Sequence, residues 1–260
     1  MGGLIAGGTD PADIVATVRR AERADELAKR HHGITAIAGE EEPENNKQAA
    51  TGAGVVILGV KPVGIADLAR EIGDSLAPDT IVISVAAAVS LEQLEAALPA
   101  GQPVIRTMPN TPAKLGRGVV SVSAGTNCSP EQLQRAKDIL GAVGTVVEIP
   151  EEQVDALGAI SGSGPAYAFY LAEAMAAAGV ELGLDEELAL LLARETVAGA
   201  GLMLAEPGAE PSALRKAVTS PNGTTERAIA TFDDRGMPAI IAAGARAAAD
   251  RAAEITKQLG

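Results

Sequence analysis

Thr80-Ile81-Val82-Ile83-Ser84-Val85, followed a few residues later by Ser90-Leu91-Glu92-Gln93, decides the fold class. The first stretch is apolar and β-branched almost without interruption, as expected of a strand buried on both faces. The second has capping-box spacing and starts a helix through Leu98. The same rhythm repeats on either side. Upstream, Ile14 to Val18 reads as a strand and Glu22 to Arg30 as a helix; Gly54 to Val60 reads as a buried strand and Ile65 to Ser75 as its helix. Downstream, Val104-Ile105-Arg106 is a strand, Val119 to Ser123 is extended, and Thr145 to Ile149 closes as a strand. Between the last two, Ser129-Pro130-Glu131-Gln132 starts a helix with Ser as cap and Pro at the first helical position. Strands joined by helical crossovers predict a mainly parallel, doubly wound sheet with ligands at the carboxyl ends of its strands.

After Pro150 the texture changes. No strand is evident from Glu151 onward, and Ala/Leu-rich helices are expected around Asp155, from Pro165 to Gly179, from Asp185 to about Ala205, from Pro211, and from Gly236 to the end. The chain therefore divides into an α/β domain, 1–149, and an all-helical domain, 150–260. Aromatic residues are only 2% of the 260 while hydrophobic residues are 47%, so helices must pack closely through Ala, Val, Leu and Ile. Helices apolar on several faces bury those faces in a partner subunit, and a homodimer is expected.

The formal net charge of -13 and the lack of a basic stripe argue against nucleic acid, whose phosphates require clustered Lys and Arg. No apolar run reaches the roughly 18 residues that span a bilayer. One cysteine, Cys128, cannot form an internal disulfide, and with no secretory leader at Met1 a cytoplasmic chain is expected. His31 and His32 are adjacent and do not share a helix face, so neither a His-based metal site nor a Ser-His-Asp triad is expected.

Val218-Thr219-Ser220-Pro221-Asn222-Gly223-Thr224-Thr225-Glu226 carries the chemistry. Pro221 and Asn222-Gly223 stop regular structure. A helix beginning near Thr225 then presents unpaired N–H groups and the positive end of its dipole, which suits a small carboxylate. Taken alone, the segment also reads as an ordinary cap between two surface helices. Its upstream company separates the two readings: Val60-Lys61-Pro62 after one buried strand, Arg106-Thr107-Met108-Pro109-Asn110-Thr111-Pro112 after another, and Ser161-Gly162-Ser163-Gly164-Pro165-Ala166-Tyr167 opening the helical half.

On these four motifs, in this order, the chain resembles the pyrroline-5-carboxylate reductases over essentially its whole length. The resemblance implies reduction of 1-pyrroline-5-carboxylate to L-proline by NAD(P)H, a Rossmann-type parallel-sheet domain, and an all-helical dimerisation domain whose dimers can associate into rings. It departs at the front. Met1 and Gly2 resemble the last two positions of the G-x-G-x-x-G/A phosphate loop, so the first strand and most of that loop, about a dozen residues, are expected to be missing. Two alternatives stay open: a dimerising remnant that cannot hold a dinucleotide, and a related NADP-dependent imine or hydroxyacid reductase.

For the cofactor, Arg19 and Arg20 end the second Rossmann strand, where guanidinium groups favour a 2′-phosphate and hence NADP over NAD; a solvated surface pair is the other reading. Asn46, fifteen positions before Lys61, resembles the family's ribose-side Asn. Gly59, Val60, Lys61 and Pro62 resemble one loop along the dinucleotide, and Val85, Ala86 and Ala87 the next. Met108 and Asn110 fall where the family places the nicotinamide end. For the substrate, the resemblance implies that Gly223 and Thr224 offer N–H groups to the carboxylate and that the catalytic Thr225 bonds the ring nitrogen. Glu151 resembles a further substrate-pocket residue, though it also reads as a solvated carboxylate at a helix start. Asn222 stands where the family commonly has Gly, and Asn tolerates left-handed backbone angles. Ser161-Gly162-Ser163 does not match the G-x-S-x-G nucleophile elbow, which argues against a hydrolase.

Overall fold

The computed structural model describes residues 1–259. Its helices and strands run α1 (Gly2–Ala6), β1 (Val15–Val18), α2 (Ala21–Arg30), β2 (Thr35–Ala38), α3 (Asn45–Ala50), β3 (Val55–Leu58), α4 (Ile65–Ile72), β4 (Ile81–Ser84), α5 (Leu91–Ala97), β5 (Val104–Pro109), β6 (Gly118–Ala124), α6 (Pro130–Gly141), β7 (Gly144–Glu148) and α7 (Val154–Leu157). Five further helices follow: α8 (Gly164–Glu181), α9 (Glu186–Leu204), α10 (Pro211–Ala217), α11 (Thr224–Asp234) and α12 (Met237–Leu259). The chain forms two compact units, one of residues 1–162 with the stretch from Ala248, the other Ser163–Ala247.

In the first unit the strands fall into two sheets. β1 and β2 pair in parallel, from Val15 opposite Thr35 to Val18 opposite Ala38. The second sheet has the order β3-β4-β5-β6-β7 and is parallel except for the antiparallel β5–β6 pair. That pair carries β5 out to Pro109, three residues beyond the expected Arg106, because Met108 and Pro109 lie opposite Ser121 and Val120.

Alternation along the strands explains the double winding. Leu58, Val82 and Val104 pack with Ile65, Ala69 and Ile72 of α4 and with Leu91 and Leu94 of α5. Ile81, Ile83, Ile105, Val120 and Val122 point the other way and pack with Ala136 and Leu140 of α6. β4 is buried on both faces, so truncating Ile83 to Ala would cost about 2–5 kcal/mol through lost burial and a residual cavity. The capping boxes form as expected, with Ser90 and Gln93 starting α5 and Ser129 and Gln132 starting α6. Gly144 has φ 150°, and a Cβ there would overlap the Gly118 carbonyl, so β7 can begin beside β6 only with glycine at this point.

β2 and α3 were not expected from sequence. β2 is a four-residue, partly exposed Thr-Ala-Ile-Ala segment, too short and Ala-rich to signal a strand. Asn45, at the start of α3, secures it: buried, it donates from Nδ2 to the carbonyls of Val18 and Ile37.

The second unit is helical, as expected. α8 and α9 approach closely: a Cβ on Gly179 would lie 3.0 Å from the Ala189 Cβ, and Ala189 and Ala193 are buried. Other faces of the second unit's helices are open. Phe169 is 65% and Tyr170 73% exposed, and Leu191, Leu202 and Ile240 are exposed too, an apolar surface of the kind that partners cover. No described helix is long and apolar enough to cross a membrane.

Residues 150–162, which follow the expected boundary at 149, group with the first compact unit. Side chains of β5 and its following turn hold them there: Arg106 pairs with Glu151, and Asn110 bonds Ser161.

Candidate functional site

Parallel pairing sets the carboxyl ends of β3 and β4 at one level, while β5 runs on to Pro109. Leu58 lies opposite Ser84, and Ser84 opposite Arg106, so the segments after β3 and β4 emerge beside the last residues of β5 at the carboxyl edge, where ligands bind in doubly wound folds. After β3, a Cβ on Gly59 would meet no atom within 4 Å. Val60 is 43% exposed, Lys61 is exposed, and Pro62 begins a single 3-10 turn over Pro62–Gly64. After β4, Val85 is half-buried and Ala87 exposed, but Ala86 is only 4% exposed and belongs to the apolar core. The Ala86 N–H donates to Ser84 Oγ at 3.3 Å. Ala88 adopts φ 60°, a left-handed conformation that costs an alanine about 1–2 kcal/mol. Such strain is typical of ligand loops held by their surroundings.

Arg19 and Arg20 follow β1, both exposed, and Arg20 occupies the N-cap position of α2 without a side-chain capping bond. Among the described residues neither makes an ion pair, nor does Lys61. Exposed guanidinium and ammonium groups without ion-pair partners fit an anionic dinucleotide. Asn46 donates from Nδ2 to Glu71 Oε1 at 3.0 Å, which ties α3 to α4. Met1 and Gly2 sit at the start of α1, whose Gly3 and Gly7 press against Val143 and Ala142. Burial there pulls the Met1 α-ammonium pKa below its ordinary value near 8.

Met108 in the last residues of β5 and Asn110 just after it reach across to one turn of π-helix, Gly158–Gly162. A Cβ on Gly162 would lie 3.2 Å from Met108 Cε. Asn110 donates from Nδ2 to the Ser161 carbonyl and accepts at Oδ1 from Val119 N–H, each at 2.9 Å. The Asn110 amide is thus held at both ends within the protein, and its support for a ligand runs through loop geometry. π-Turns inside helical segments concentrate at functional sites.

The contact that sequence reasoning missed lies beneath this edge. Arg106 is 5% exposed on a strand whose preceding residues are fully buried. Its Nη1 donates to Glu151 Oε1 at 2.8 Å, and the same oxygen accepts from Leu91 N–H, at the start of α5, at 2.7 Å. Glu151 is therefore engaged inside the first unit and is not simply a solvated carboxylate. The signal was present: a charge within an apolar strand requires a partner.

In the second unit, the stretch after α10 turns sharply. Asn222 takes φ 62°, the left-handed angle its side chain tolerates, and its N–H donates to Glu226 Oε2 at 2.7 Å. Gly223 is the N-cap of α11, which starts at Thr224. The Gly223 N–H, expected to face a carboxylate, instead donates to the Ser220 carbonyl at 3.0 Å and closes the turn. The first-turn N–H groups of Thr224 and Thr225 have no acceptor within the helix, so the free donors begin at Thr224 and not at Gly223. A Cβ on Gly223 would lie 2.9 Å from the Ser220 carbonyl oxygen, so the turn requires glycine. Thr225 is half-buried beside these groups.

Comparison with known proteins bears on both units. The profile described as pyrroline-5-carboxylate reductase dimerisation matches residues 151–255, and that described as NADP oxidoreductase, coenzyme F420-dependent, matches residues 1–88. The chain is 42% identical over 258 residues to the pyrroline-5-carboxylate reductase of Corynebacterium melassecola, covering 98% of this chain and 93% of that protein. It is 41% identical over 261 residues to that of Pseudomonas aeruginosa, covering 100% and 93%. Among solved structures, the pyrroline-5-carboxylate reductase of Coxiella burnetii superposes with a TM-score of 0.89 at 36% identity, covering 98% of this chain and 92% of that one. The Plasmodium falciparum pyrroline carboxylate reductase with NADP bound shares the fold, with a TM-score of 0.80 at 22% identity over 98% and 92% of the two chains.

Proposed function

We infer that the chain, which belongs to the pyrroline-5-carboxylate reductase family, reduces 1-pyrroline-5-carboxylate to L-proline with NADPH, the last step of proline biosynthesis. The observation that carries this reading is the 42% identity to a pyrroline-5-carboxylate reductase over 98% of the chain.

The substrate is a cyclic imine with one carboxylate. Its nitrogen takes a proton from solvent, which makes the adjoining carbon electrophilic, so the protein needs placement more than acid–base machinery. The reduced nicotinamide supplies the hydride that forms the new C–H bond as the C=N double bond becomes single. In this reading Arg19 and Arg20 hold the 2′-phosphate of the dinucleotide. Asn46, Gly59–Pro62 and the Val85–Ala87 backbone line its path, and the Met108–Asn110 turn supports the nicotinamide end. Met1 and Gly2 stand at the phosphate end.

On the substrate side, the Thr224 and Thr225 N–H groups at the start of α11 bind the carboxylate, helped by the helix dipole. The Thr225 hydroxyl accepts a hydrogen bond from the protonated ring nitrogen, and Glu151 is the further acidic group of the substrate side. The exposed apolar helices of the second unit support a homodimer. Rings of dimers and a cytoplasmic location extend the same proposal.

Steady-state assay with 1-pyrroline-5-carboxylate and NADPH, with L-proline as the measured product, tests the reading. Proline formed in step with NADPH consumed supports it. NADPH binding without turnover of this imine, combined with turnover of another imine or a hydroxyacid, would transfer the chain to a different reductase activity.

A further inference from the structure

We propose that Arg106 is a positioning residue for the reduction: through Glu151 it locks the Val85–Ser90 loop to β5. The inference rests on the reading that the loops after β3, β4 and β5 receive the dinucleotide.

Arg106 is the one charged residue among the buried polar residues described. A buried ion pair is weak grounds for stability, because apolar side chains of similar volume hold a core at least as well. What such a pair supplies is a fixed geometry. Here three segments meet at a single atom, Glu151 Oε1, which accepts from Arg106 on β5 and from Leu91 at the start of α5. Leu91 directly follows the loop that contains Val85, Ala87 and the left-handed Ala88. Arg106 lies opposite Ser84, the residue from which that loop departs, and two positions before Met108. The clasp therefore closes a short circuit from the end of β4, through the loop to α5, across Glu151, and back to β5.

Removing Arg106 opens that circuit and gives the loop play relative to Met108. Hydride transfer is sensitive to displacements of about 1 Å, which can cost on the order of 10²-fold in rate.

The test uses the full chain as R106Q, R106K, E151Q and the double variant R106Q/E151Q, with NADPH affinity by fluorescence titration beside steady-state kinetics. R106Q and E151Q are each expected to lower kcat by about 10-fold to 100-fold and to raise the NADPH Kd severalfold. R106K is expected to recover part of both, and the double variant to be no worse than the poorer single one, since both break one circuit. A double variant whose losses multiply, or an R106Q protein with the parent's kcat and Kd, would overturn the proposal. If R106Q does not fold, E151Q carries the test, and an unchanged NADPH Kd in E151Q overturns it. A parent that binds NADPH but does not reduce 1-pyrroline-5-carboxylate would sink the functional reading while the Kd comparison still judges the clasp.

Discussion

Asn110 donates from its side-chain nitrogen to the Ser161 carbonyl at 2.9 Å, bridging 51 positions of sequence to fasten the turn after β5 to the π-turn at Gly158–Gly162. With its oxygen held by Val119 N–H, this side chain is a structural strut under the expected nicotinamide end. Replacing Asn110 with Ala leaves a partly buried donor and a partly buried acceptor unmatched, at about 1–3 kcal/mol for each unsatisfied group. Thermal unfolding should show a loss of several degrees, and NADPH binding should weaken. Unchanged unfolding and binding would show that the strut is dispensable.

The turn before α11 makes a paired prediction. Asn222→Gly should be close to neutral, because both residues reach φ 62° at little cost, whereas Asn222→Ala should destabilise by about 1–2 kcal/mol. Gly223→Ala should be worse for substrate than either, since its Cβ meets the Ser220 carbonyl oxygen and displaces the N–H groups that follow. Its KM for 1-pyrroline-5-carboxylate should rise with little change in NADPH affinity. Equal KM values for Gly223→Ala and the parent would place the carboxylate elsewhere.

Thr225 is assigned a hydrogen bond to a charged ring nitrogen. Thr225→Ala should lower kcat/KM by about 10-fold to 100-fold, the range for one charge-assisted hydrogen bond of about 1.5–3 kcal/mol. The melting temperature and dimer mass should stay at parental values. Turnover equal to the parent's would remove Thr225 from the mechanism.

Much of the architecture was readable from the chain because single residue types dictate single local outcomes. Ser90 with Gln93 and Ser129 with Gln132 form the capping boxes that their spacing announced. Asn222 stands at a left-handed angle, which Asn tolerates where the family commonly has Gly. What escaped depends on partners distant in sequence. β2 exists because Asn45 bonds to both Val18 and Ile37. Residues 150–162 group with the first unit because Arg106 and Asn110 reach 45 and 51 positions ahead. Of the expected donors Gly223 and Thr224, the Gly223 N–H is taken up by the Ser220 carbonyl in closing the turn, which residue identity alone does not reveal.

Cys128 provides a pH-dependent check on the packing around α6. Burial raises its thiol pKa above the ordinary value near 9, so the folded chain binds a proton more tightly there than the unfolded chain does. The associated stability is complete below pH about 9 and is lost as pH rises through the folded value. Alkylation of the native protein should therefore begin at higher pH than alkylation of the urea-unfolded chain, and Cys128→Ser should keep full activity. A native profile at or below the unfolded one would mean that the thiol is not shielded.

The most direct test of the central claim is NADPH oxidation by this 260-residue chain in the presence of 1-pyrroline-5-carboxylate, with proline measured in the same sample. The account predicts one proline formed for each NADPH consumed. Absence of proline at saturating substrate and NADPH, from protein shown to be folded, would contradict it.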